Sequence, residues 1–60
     1  MTIKFEYQDQ GRPWQAITLH IEVSIDDVPK KLNDLKRQFP NCNLRALDEY
    51  QQVIETRYQF

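Results

Sequence analysis

The sequence predicts a small α+β domain, a ββαββ chain that forms a mainly antiparallel four-stranded sheet with one helix packed on one face. Three patterns lead there. Ile25, Val28, Leu32, Leu35 and Phe39 recur at steps of three and four, which draws a single apolar stripe along a helix. Ile3, Phe5 and Tyr7 alternate with Thr2, Lys4, Glu6 and Gln8, the period of a half-buried strand. Ile54, Thr56, Tyr58 and Phe60 repeat that period near the other end of the chain. A helical stripe flanked by strand patterns on both sides can bury itself only against the sheet those strands make.

The first strand covers Thr2–Gln8 and ends where Asp9, Gln10, Gly11, Arg12 and Pro13 gather turn-forming residues. Gly11 is the sole glycine and takes positive φ without steric cost. The second strand follows over residues 14–23, with Ile17, Leu19, Ile21 and Val23 on one side and Thr18, His20 and Glu22 on the other. Setting Tyr7 opposite Gln15 or Ile17 puts the odd-numbered apolar residues of both strands on one face.

Ser24, Asp26 and Asp27 offer caps and negative charge at the positive end of the helix dipole, and Pro29 chooses among them. A cap at Ser24 would place the proline where its missing N–H breaks a helical bond. A cap at Asp26 or Asp27 keeps it inside the first turn. The helix is therefore expected over residues 27–38, stopped by Phe39, Pro40 and Asn41.

Residues 42–60 admit two readings, because Leu44, Leu47, Tyr50, Ile54 and Tyr58 also lie at helical spacing. A hairpin is preferred. Pairing Ala46 with Ile54 sets Leu44 against Thr56 and Cys42 against Tyr58 inside, with Arg45 against Glu55 and Leu47 against Val53 outside. Spatial strand order stays open at this level. An unpaired edge strand in a chain this short is a natural docking place for a second copy.

Sixty residues, 40% of them hydrophobic, make one domain over residues 1–60 with room for one core. Such a small core gains from self-association, so a homodimer is expected. Eight basic against nine acidic residues give a net charge of −1, which disfavours a protein whose task is to neutralise phosphates. One cysteine allows no internal disulfide, and no run of about twenty apolar residues is present. The expected location is the cytoplasm, with no membrane association.

No residue set here carries chemistry on its own. His20 is the lone imidazole and Cys42 the lone thiol, placed on opposite faces of the sheet, so neither a zinc site nor a nucleophile with its base can be assembled from them. Cys42 reads as core. Asp26 and Asp27 read as helix capping, and Asp48 and Glu49 as a solvated turn. The expectation is a chain without catalytic residues, metal or cofactor.

What remains is surface. Leu47 and Val53, read as an outward pair, with Tyr50 at the hairpin tip and Trp14 at the other hairpin, form the candidate protein-binding residues. Lys30, Lys31, Lys36 and Arg37 lie on the helix away from the stripe and read as a solvated face, or as an electrostatic contact for an acidic partner. Arg45, Arg57 and Arg12, with nearby aromatics, are the nucleic-acid alternative across the open sheet face. The expected function is a small protein-binding module: an adaptor, an inhibitor or a subunit of a larger assembly, of the kind phages and other mobile elements carry. A third reading, an oligomeric enzyme, would need His20 and carboxylates from neighbouring subunits.

Overall fold

The computed structural model describes residues 1–59, so the strand position expected of Phe60 lies outside the described residues. Its elements are β1 (Thr2–Gln8), β2 (Gln15–Ala16), β3 (Ile21–Glu22), a 3₁₀ turn (Ile25–Asp27), α1 (Val28–Gln38), β4 (Asn43–Leu47) and β5 (Val53–Arg57). β1 lies at the centre. It pairs antiparallel with β2 and β3 along one side and with β4 along the other, and β4 pairs in turn with β5. One helix on an antiparallel sheet is the α+β arrangement expected from the three patterns, and residues 42–59 form the hairpin rather than a second helix.

The chain's order explains the sheet's order. β3 and β4 run in the same direction on opposite sides of β1, so the chain between them must cross one face of the sheet, and it crosses as α1. The helix leaves from the Thr2 end and delivers Phe39 to the far end, where its ring stacks on Tyr7 at 4.8 Å between centroids. Val28, Leu32 and Leu35 are buried against Ile3 and Phe5 of β1 and Leu44 and Ala46 of β4. Tyr7, Ile17, Val23, Phe39 and Ile54 pack around that centre.

The helix boundary follows the proline. Pro29 sits within the first turn of α1, as its missing N–H requires. Ser24 precedes the 3₁₀ turn, where its carbonyl accepts the Asp27 N–H at 2.9 Å, and neither Ser24 nor Asp27 makes a side-chain cap bond. Ile25 belongs to that turn and not to the helical stripe. It is half exposed, because a 3₁₀ turn rotates it away from the face that Val28 continues.

Two strand expectations are corrected. The second strand is not continuous over residues 14–23. Its pairing with β1 moves from Glu6 opposite Ala16 to Ile3 opposite Ile21, so it takes five steps where β1 takes three. Phe5 absorbs the excess: its carbonyl accepts the Ile17 N–H at 2.8 Å and the Thr18 N–H at 3.4 Å, and its own N–H donates to Thr18 Oγ1 at 3.3 Å. Leu19, expected inside, is carried out of the ladder and is 83% exposed.

In the second hairpin Leu47 faces Val53 as expected, but the register then slips by one. Glu55 faces Ala46, Thr56 faces Arg45 and Arg57 faces Leu44. Ile54 is the extra residue, a bulge that lets its side chain pack on the core. The expected partners Ile54, Glu55 and Thr56 are thus each displaced by one, and Cys42 precedes β4 instead of pairing with Tyr58.

Candidate functional site

The face of the sheet opposite α1 is built by the even residues of β1 and the odd residues of β4. Lys4 lies beside Leu47, Glu6 beside Arg45 and Gln8 beside Asn43. The Glu6 carboxylate is the hinge of this face. It accepts from Arg45 Nε and Nη2, both at 2.7 Å, and pairs with Lys4 Nζ at 3.2 Å. Trp14, just before β2, lays its ring against the Arg45 guanidinium, 4.2 Å from centroid to Cζ. The row Lys4, Glu6, Arg45, Trp14 therefore ties β1, β4 and the chain before β2 together.

Glu6 is 8% exposed, which is unusual for a carboxylate and is tolerated because two cations face it. Burial works to raise its carboxyl, but hydrogen bonds and charge from Arg45 and Lys4 outweigh that and hold it below its ordinary value of 4.5. Asn43 Nδ2 donates to Gln8 Oε1 at 3.1 Å, and Asn43 Oδ1 accepts the Gln59 N–H at 2.7 Å. The chain beyond β5 is thereby pinned to β4.

The hairpin tip has a different origin. Asp48 Oδ1 accepts from the N–H groups of Tyr50 at 2.8 Å and Gln52 at 3.0 Å, while its carbonyl takes the Gln51 N–H at 3.1 Å. This knot of bonds holds Gln51 at a φ of 66°, in the left-handed region. Tyr50 is displayed on it at 76% exposure, and Val53 beside it is half exposed.

The four candidate protein-binding residues do not form one patch. Tyr50 and Val53 share the tip, while Trp14 lies by the opposite edge of the sheet and its ring is occupied by Arg45. Leu47, expected to be exposed with Val53, is 3% exposed and is corrected to a buried residue. Strand alternation places it on the face away from the helix, directly across from Lys4 and outside the apolar cluster that meets α1, yet it is withdrawn from water. Parity alone could not show that.

The arginines are also separated. Arg45 lies on the outer face and Arg57, opposite Leu44, on the helix side. Each has a carboxylate, Glu6 for Arg45 and Glu55 at 3.0 Å for Arg57, and Arg12 stands in the first loop beside Gly11 at a φ of 75°. Sequence reasoning missed Glu6 as the centre of this face. The signal was available as Lys4 and Glu6 two apart on β1 with Arg45 at the cross-strand position of Glu6, legible only once β1 and β4 are known to be neighbours.

The lone thiol and imidazole stand apart. Cys42 is buried and donates its S–H to Asp9 Oδ1 at 2.8 Å, and that bond, then burial, push the thiol above its ordinary value. This is the inert direction for a nucleophile. His20 is exposed in the excursion between β2 and β3. Among the described residues no three His, Cys, Asp or Glu side chains converge as metal ligands, no cleft opens, and no helix is long and apolar enough to cross a membrane. Comparisons with protein-family models, curated proteins and solved structures yielded no match, so any function has to be read from these residues.

Proposed function

We propose that this chain is a small non-catalytic protein-binding module, an adaptor, inhibitor or subunit of a larger complex, that self-associates and meets its partner with the β4–β5 hairpin tip. The observation that supports this reading is the tip itself. An aromatic ring and an aliphatic side chain stand in solvent on a turn already ordered by Asp48, so little conformational freedom is lost when they are covered. Trp14 with Arg45 is a second anchor of the type interfaces use, though each is already in contact with the other.

The test is affinity capture with the tagged protein, with and without nuclease, run beside Tyr50→Ser and Val53→Ser. A protein partner retained by the parent, insensitive to nuclease and lost with either variant supports the reading. Recovery that disappears with nuclease and depends on Arg12, Arg45 or Arg57 would replace it with a nucleic-acid-binding function.

A further inference from the structure

We propose that the free edge of β5 docks a second copy of this chain, antiparallel and in one register, with the two-fold axis at Thr56. This rests on the self-association in the reading above and names its surface.

The sheet has two edges. One is broken, since β2 and β3 are two-residue strands separated by the excursion that carries Leu19 and His20 outward. Broken edges resist pairing. The other is β5, five residues long with no proline, bonded only to β4 among the described residues.

Peptide groups alternate in direction along a strand, so the bonds of the inner strands fix which groups of β5 are free. Those of Phe5 point toward the β2 side, where Ile17 and Thr18 bond them. Those of Lys4, Glu6 and Gln8 therefore point to β4, at Leu47, Arg45 and Asn43. Leu44 and Ala46 then turn theirs to β5, at Arg57 and Glu55. The Gln59 N–H on Asn43 Oδ1 continues the same side. Thr56 is left with its N–H and carbonyl pointing off the sheet, the carbonyl taking only a long 3.4 Å bond from the adjoining Arg57 Nη1, which a second strand's N–H can join or replace, and Tyr58 follows it.

A second β5 must meet those outward groups with its own, which restricts the axis to Glu55, Thr56 or Arg57. An axis at Glu55 sets carboxylate against carboxylate, and one at Arg57 sets guanidinium against guanidinium. An axis at Thr56 bonds Thr56 to Thr56 and faces each Glu55 with Arg57 of the second copy, in the non-bonded positions where side chains come closest. Glu55 and Arg57 already pair within one chain at 3.0 Å, so the dimer closes a ring of four alternating charges. Charge complementarity thus selects one register of three, and it selects a copy of this chain as the occupant.

The experiment is sedimentation equilibrium on the full chain over a wide concentration range, at low and high salt. The parent is expected to dimerise, more weakly as salt rises. Glu55→Arg and Arg57→Glu should each weaken the dimer on the order of tenfold or more, because each turns two attractive contacts into repulsions. Mixing the two variants should restore association as a heterodimer. On one side of the axis the introduced arginine then meets the introduced glutamate, and on the other the unchanged Arg57 of the first variant meets the unchanged Glu55 of the second. Thr56→Pro, which deletes the outward N–H, should abolish the dimer while a melting curve reports that the chain still folds. A parent dimer indifferent to these changes overturns the β5 proposal and leaves self-association standing through another surface. A parent that stays monomeric at millimolar concentration overturns both.

Discussion

On both faces of this sheet the central positions are withdrawn from water, and different forces withdraw them. On the helix side Ile3, Phe5, Leu44 and Ala46 meet Val28, Leu32 and Leu35, an apolar contact that is non-directional and grows with area. On the other side there is no second layer among the described residues. Glu6 is held between Lys4 and Arg45, Trp14 lies on Arg45, and Leu47 is buried beside them. That face depends on charges that must stay charged and on distances near 2.7 Å. The contrast teaches that a sixty-residue chain can shield the middle of a second face without a second layer, at the cost of making it sensitive to pH and salt.

The largest expected effect would break the comparison outright. Leu47→Asp places a carboxylate at a buried position opposite Lys4, whose ammonium Glu6 already holds, and should cost on the order of 4 kcal/mol or more, read as a collapse of the denaturant midpoint. If Leu47→Asp instead melts like the parent, the outer face is open and its shielding is not part of the fold. Leu35→Ala, on the helix face, should cost roughly 2–5 kcal/mol. An unchanged melting curve there would mean that the helix is not the core layer.

Glu6→Gln sharpens the contrast, since it keeps the shape and removes the charge. At neutral pH it should cost about 1–3 kcal/mol, and the sign of its pH dependence follows from the lowered carboxyl. A carboxyl lower in the folded than in the unfolded chain contributes its stability in full above the ordinary value of 4.5, and loses it as pH falls through the folded value. The gap between parent and variant should therefore narrow in acid, while the Leu35→Ala gap should change little over the same range. Equal gaps at every pH would show that Glu6 acts by packing alone.

The smallest effect concerns the tip. Gln51 holds a positive φ that glycine adopts without strain, so Gln51→Gly should be neutral or should raise stability by about 1 kcal/mol or less. A clear loss would mean that the Gln51 side chain itself supports the turn.

Much of this fold was legible in the residues alone. β1, the helix stripe from Val28 to Phe39, the position of Pro29 and the turn at Gly11 all follow from periodicity and from what proline and glycine permit. The strand-register failures share a cause. Leu19, Ile54 and the register after Val53 depend on bulges, and a bulge leaves hydrophobic alternation almost unchanged on either side of it. Of the candidate surface, Tyr50 and Val53 were named as exposed and are exposed, whereas Leu47 was named with them and is buried.

By itself, the sequence determined β1, the helix and its apolar face from Val28 on, and the turn at Gly11, because each depends on neighbours within a few positions. Only the tertiary structure decided that β4 lies beside β1, and with it the pairing of Glu6 with Arg45, the burial of Leu47 and the free edge at Thr56. Strand order is a long-range choice, made by where the helix crosses and which faces then meet. No local pattern encodes it, since the same alternating strands could close a sheet in more than one order.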